Sequence, residues 1–297
     1  MSAERMSRES ANGPENRQRA FTLLELLVVI SIVALLMAIL TVAVRKARNQ
    51  ARAVVCQANL RQWGILLHVY TSASEGRLPE WGDVADDPDK HLWWWDSPRS
   101  GRSKDSATNK PERDLLFCPS ATRPAAPESK GIHAGGTFLA WVYAHTGTPA
   151  WGSYGLNDRF QEHPPAAQDP QYVQREIRPP EEIRPALRLI NDVPNANRVP
   201  ILLDSCMPWG DVGAGQRPAK YDAVPTRVAW DINSFCIDRH AGRVGTLFLD
   251  WSTRRVGLKE LWTLKWHKDY DTAGPWSKAG GVRPEDWPKW MRRFKDY

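Results

Sequence analysis

Residues 21–44 read FTLLELLVVISIVALLMAILTVAV. A helix needs about 20 apolar residues, each rising about 1.5 Å, to cross the hydrocarbon core of a bilayer. This run is long enough and carries a single charge, Glu25. A carboxylate at such a depth costs about 2.5–3.5 kcal/mol on insertion scales, so its presence asks for a function. The preceding residues, 1–20, read as a polar leader with Arg5, Arg8, Arg17 and Arg19 among Glu4, Glu9 and Glu15. The run is too long for a secretory signal peptide, and no Ala-x-Ala cleavage site follows it. Charge alone does not orient the span, because Arg45, Lys46, Arg48 and Arg52 follow it closely.

The 297 residues suffice for one sizeable folded body beyond the span, or two small ones. A net charge of +6, with basic and acidic residues interleaved, is not the footprint of a nucleic-acid binder, and no nucleic-acid motif is present. Four widely spaced Cys fit neither a zinc finger nor a small disulfide scaffold. The 23 Pro and 20 Gly predict a body with many turns.

The stretch RQRAFTLLELLVVISIVALLMAIL resembles the class III leader of type IV prepilins and type II secretion pseudopilins. The resemblance implies cleavage by a prepilin peptidase between Ala20 and Phe21, N-methylation of Phe21, and an assembly role for Glu25, the fifth mature residue. Ala20 stands where the family usually has Gly. The chemistry is coherent: cleavage creates a cationic amine at Phe21, and Glu25 can neutralise that amine on a neighbouring copy as two helices pack in lipid. The plainer alternative is a single-pass anchor whose Glu25 reaches toward the interface.

The helix is predicted to continue past Val44 to about Ser74–Gly76, with Gly76 as a left-handed cap, a rod of about 80 Å. Ala47, Ala51, Val54, Val55, Ala58, Ile65, Leu66 and Val69 recur at three- and four-residue steps and define the face expected to pack on the body. Cys56–Pro79 is similar to a Cys-x-x-Asn-Leu-(Lys/Arg)-Gln-x-Gly stretch of large pilin-like proteins of planctomycetes. His68, alone on this helix, is assigned no chemistry.

Trp93, Trp94 and Trp95 follow one another in a polar, loop-rich segment; neighbours on any regular element point apart, so they cannot all enter one core. They read either as a stacking platform for sugar or a partner protein, or as the cover of a small core. Asp83, Asp86, Asp87 and Asp89 form the densest acidic loop, without an EF-hand pattern. LLFCPS, 115–120, resembles the short strand and Cys-Pro turn of the same family. That likeness makes Cys118 a candidate disulfide partner for Cys56, leaving Cys206 with Cys236. Four Cys allow three pairings, and four reduced buried thiols are the alternative. Further strand pieces are expected at 137–143, at GSYGLN (152–157) and at the apolar run VPILLD (199–204), with a surface insertion at 161–185. Asn157 is expected to bond local backbone.

RHAGRVGTLFLDWSTRRVGL, 239–258, predicts a hairpin: a strand over 244–249, a turn at 250–253 and a return from 254. It resembles the H-X9-DG domain attached to many prepilin-type proteins, with His240 and Asp250 at the motif positions and Trp251 where the family has Gly. The pair admits three readings. Two ligands are too few for a metal site. Acid–base catalysis lacks a nucleophile. A hydrogen-bonded pair fixing the hairpin is the simplest. Toward the C terminus a short helix is expected over 259–268 and a second over 285–294, its Trp287, Trp290, Met291 and Phe294 forming an aromatic stripe docked on the body.

Together these readings predict an α+β pilin-like fold: leader 1–20, transmembrane helix half 21–44, exported helix half 45–76, and an extracytoplasmic domain 77–297 on an antiparallel sheet. The expected function is a structural subunit, not an enzyme, with neither cofactor nor metal. Its partners would be prepilin peptidase, other pilin-like subunits, secretion platform proteins and the inner membrane through 21–44. A tethered glycan- or protein-binding ectodomain using the Trp clusters is the alternative.

Overall fold

A computed structural model describes residues 22–78, 115–124, 131–144, 150–160, 193–222 and 231–297. The expectations for the leader, Ala20, Phe21, the acidic loop, Trp93–Trp95 and the 161–185 insertion lie outside these residues. The chain divides into two compact units, 1–47 and 48–297.

One helix, α1, runs Leu23–Ala73. Its start is a capping box. Glu25 N–H donates to Thr22 Oγ1 (3.2 Å). The Glu25 carboxylate accepts in return from Thr22 N–H (2.9 Å) and Thr22 Oγ1 (3.0 Å). This arrangement satisfies backbone donors that have no intrahelical partner. Every residue from Leu23 to Gln50 is exposed, and the apolar portion is long enough to cross a membrane.

In the second unit α1 packs through Ala53, Cys56, Leu60, Trp63, Gly64, Leu67 and Thr71. This corrects the face expected from the aliphatic stripe: Val54, Val55, Ile65 and Val69 are 47–64% exposed. The true face has the same helical spacing but is written in mixed residue types, with Trp63 Nε1 donating to Leu115 O (2.9 Å). The helix ends with Glu75 (φ 54°) and Gly76 (φ 81°) both left-handed, so the cap begins one residue before the glycine expected to make it. Gly76 N–H closes the last turn onto Thr71 O (2.8 Å).

Among the described residues the body holds two sheets. The smaller joins β1 (Gly131–His133), β2 (Trp141–Ala144) and β3 (Ala150–Gly152), all antiparallel. The larger contains β4 (Tyr154–Asn157), β5 (Pro200–Asp204), β6 (Trp209–Gly210), β7 (Arg243–Phe248) and β8 (Thr253–Gly257). Its order is β6-β4-β5-β7-β8, antiparallel except for the short β4–β6 pair. The buried apolar run at 199–204 is the central strand β5, as its composition predicts. A register shift between Pro200 and Leu202 puts both Ile201 and Leu202 into the core beneath α1. Along β7 the side chains alternate: Leu247 meets the helix side, while Val244 and Phe248 enter a second core with Val256.

That second core is closed by the C-terminal segment. Lys259–Thr263 is a 3-10 helix, shorter than the expected α-helix. No helix forms over 285–294; the segment is a series of turns. Pro288 explains the difference, since it lacks an N–H and pushes Trp287 away from helical backbone. The stripe docks nevertheless: Trp287 and Met291 are buried, and Trp290 and Phe294 pack at the edge. Lys259 Nζ, itself buried, reaches Asp296 (2.6 Å) and lies 5.1 Å from the Trp287 ring. Leu115–Ser120 forms turns rather than the expected strand. The described architecture is the α+β, pilin-like arrangement of one long N-terminal helix with antiparallel and mixed sheets.

Candidate functional site

Among the described residues, two places carry chemistry: the N-terminal helix start and a polar cluster buried in the body. The cluster is assembled from four elements. α1 supplies Cys56, and the turn after Leu115–Leu116 supplies Cys118. The end of β5 supplies Asp204. The turn before β7 supplies Arg239 and His240. One ligand-capable atom from each of Cys56, Cys118, Asp204 and His240 lies within 4.8 Å of the others, and all four residues are buried.

Asp204 is the hub. Its Oδ2 accepts from Gly245 N–H (2.7 Å) and lies 3.2 Å from His240 Nε2 and 3.4 Å from Cys56 Sγ. Its Oδ1 accepts from Arg239 Nη1 (3.1 Å). The same His240 Nε2 lies 3.2 Å from Cys118 Sγ. Tyr154 OH approaches Cys56 Sγ at 3.4 Å, and Cys118 N–H donates to Ser153 Oγ. Gly245 leaves the necessary room. A Cβ there would stand 2.9 Å from Cys56 Sγ and 3.2 Å from Asp204 Oδ2.

Arg239 spends all five of its donors. Nε bonds Thr137 O (2.7 Å) and Nη1 bonds Ser153 O (2.6 Å) as well as Asp204. Nη2 bonds Gly136 O (3.0 Å) and Ser205 O (3.3 Å). Burial opposes charge on Asp204, but His240, Arg239 and Gly245 N–H overcome it and hold the carboxyl well below its usual range. Burial likewise opposes the His240 imidazolium, yet its contacts with Asp204 and Cys118 raise it to about 10. The Cys56 thiol is pushed up by burial, by Cys118 and by the Asp204 charge. Cys118 is brought down to about 6, because hydrogen bonds from Cys56 and His240 and the Arg239 charge outweigh its burial.

His240 and Asp250 do not form the pair that their spacing suggested. His240 turns inward to Cys118 and Asp204, whereas Asp250 is exposed and accepts from Ser252 N–H (3.0 Å) and Ser252 Oγ (2.6 Å). The hairpin turn is therefore held by Asp250, not by His240. Trp251 adopts φ 66°, the left-handed backbone for which Gly is suited. The turn also contacts α1, where a Cβ on Gly64 would meet Trp251 O at 3.3 Å.

Cys56 and Cys118 do meet, and all four cysteines are free thiols. Cys206 and Cys236 are buried below the opposite side of the sheet, Cys236 Sγ lying 4.0 Å from Met291 Sδ. Asn157 bonds local backbone, accepting from Arg159 N–H (3.2 Å), and also spans the fold by donating to Pro200 O and Trp266 O (both 2.9 Å). Asp204, Arg239 and Tyr154 carry the cluster without having been singled out by sequence. The available signals were an acid ending an apolar strand and an arginine beside the motif histidine.

Comparison with known proteins bears on the other place. Residues 16–41 match the prokaryotic N-terminal methylation motif. The motif is of prepilin type, and with the apolar helix it marks a single-pass membrane anchor. It points to a prepilin-like structural subunit of the type IV pilin or pseudopilin kind rather than an enzyme, and a motif of this type implies a prepilin peptidase and other pilin subunits as partners. No curated protein and no solved structure matches the chain.

Proposed function

We propose that this chain is a prepilin-like structural subunit of a type II secretion pseudopilus or a type IV pilus-like assembly. The observation that carries the reading is the methylation motif at 16–41, laid over an apolar helix that holds one acid, Glu25. Prepilin peptidase cuts between Ala20 and Phe21 and methylates the new amine on Phe21. The span 21–44 lies in the inner membrane, and the body folds on the periplasmic side or outside. The hairpin at 239–258 belongs to a C-terminal domain of the H-X9-DG type. Secretion platform proteins are the partners at the membrane.

One feature of α1 supports assembly. Glu25 also caps its own helix start, its carboxylate accepting from Thr22 N–H and Oγ1, but neutral donors leave its charge to be met by a neighbour's amine. Beyond the apolar segment, Val54, Ile65 and Val69 remain exposed along α1, a surface suited to helix–helix contact between copies. The test is mass spectrometry of the protein co-expressed with a prepilin peptidase. The expected product begins at N-methyl-Phe21; an intact Met1 terminus overturns the reading.

A further inference from the structure

We infer that Cys56, Cys118, Asp204 and His240 form a structural zinc site that clamps α1 to the body. The four residues come from separate elements, with Cys56 and Asp204 separated by 148 positions and Cys118 and His240 by 122. They nevertheless converge through one atom each, all within 4.8 Å and all buried.

The spacing is that of ligands around an ion. Zinc bonds of about 2.0–2.3 Å in tetrahedral array place ligand atoms about 3.3–3.8 Å apart. Here Nε2 to Oδ2 is 3.2 Å, Nε2 to Cys118 Sγ is 3.2 Å, and Oδ2 to Cys56 Sγ is 3.4 Å. A single imidazole nitrogen faces both the carboxylate and a sulfur. It can donate one proton at most, but one lone pair aimed between them serves an ion bonded to all. Two sulfurs, an imidazole and a carboxylate are a donor set that zinc accepts, and four protein ligands close the coordination sphere as structural sites do.

The surroundings complete the case. Two thiolates, one carboxylate and Zn²⁺ leave one net negative charge, and Arg239, bonded to the free oxygen of Asp204, balances it. Gly245 N–H fixes the ligating oxygen, and Tyr154 OH approaches the Cys56 sulfur. Such outer contacts orient ligands and tune affinity. Binding releases the two thiol protons and any proton on Nε2 to solvent. The bond made at the cluster is then metal–thiolate rather than sulfur–sulfur.

The test uses the full chain purified in detergent without chelator. Elemental analysis is expected to give about one zinc per chain, as a closed four-ligand site requires. Cys118→Ser and His240→Gln should lose most of it, while Cys206→Ser and Asp250→Asn keep it. Because a ligand variant can fail to fold, the wild-type protein is also exchanged with cobalt. The expected spectrum shows thiolate-to-cobalt charge transfer and the intense visible bands of a tetrahedral centre. Wild-type protein that holds no stoichiometric zinc and takes up no cobalt overturns the proposal. A Cys56–Cys118 disulfide peptide recovered from it overturns the proposal equally. The N-terminal processing result is independent of both.

Discussion

Arg239 Nη1 lies 3.1 Å from Asp204 Oδ1, and neither side chain exposes any surface to solvent. The pair is tolerable in the interior because the other donors of the guanidinium end on the carbonyls of Thr137, Gly136, Ser153 and Ser205. Lysine would bring the charge but neither the five donors nor the planar fork. Arg239→Lys is therefore expected to destabilise the body by about 1–3 kcal/mol, the scale for a buried carbonyl left without its donor. The midpoint of denaturant unfolding of the detergent-solubilised chain measures this. A variant within experimental error of wild type would show that the charge alone is needed.

Trp251 combines strain with packing. Its backbone is left-handed, at φ 66°, while its ring centroid lies 5.9 Å from that of His68 on α1. Truncation to Ala removes the ring and keeps the strain; truncation to Gly removes both. Trp251→Gly should therefore be more stable than Trp251→Ala by about 1 kcal/mol, although both fall below wild type. Thermal unfolding of the two variants side by side gives the difference, and equal melting temperatures would remove the claim of strain.

What could be read from the chain follows the range of the interactions. Local ones were legible: the apolar span, the β7–β8 hairpin, the buried β5 strand and the turn-bound Asp250 all depend on neighbours in sequence. The packing face of α1 does not follow its aliphatic residues: the buried face uses Cys56, Trp63, Gly64 and Thr71 and leaves Val54 and Val69 outside. The helix expected over 285–294 fails at Pro288, a local stop that the aromatic stripe concealed. The cluster was least legible. The nine-residue spacing drew attention to Asp250 as the partner of His240, but the acid that meets His240 is Asp204, 36 positions upstream of it in the chain. Strand pairing of β5 with β7 brings them together, and no periodicity encodes that.

Cys206 and Cys236 differ from Cys118, the cluster thiol that is brought down. Burial dominates both, pushing Cys206 up to about 12 and Cys236 well above its ordinary value. The thiolate is the reactive form, so both should resist alkylation in the folded protein at pH 8 and react once it is unfolded in denaturant without reductant. Peptide mapping after iodoacetamide reads the two states. Protection that survives unfolding would mean that the pair is oxidised, restoring the disulfide that their number allowed.

Glu25 has two roles that substitution can separate. In the single chain its carboxylate accepts from Thr22 N–H and Oγ1, closing the capping box at the start of α1. In the proposed assembly its negative charge meets the methylated amine of Phe21 on a neighbouring copy. Gln can still accept from Thr22 but carries no charge, whereas Ala does neither. Loss of a cap costs about 1 kcal/mol, too little to expel an apolar span from the membrane, so both variants should insert normally. Cross-linking in membranes that also hold the peptidase is expected to show Glu25→Gln failing to self-associate as fully as Glu25→Ala. If Gln assembles like wild type while Ala does not, the residue acts as a helix cap and the intersubunit charge pair is absent.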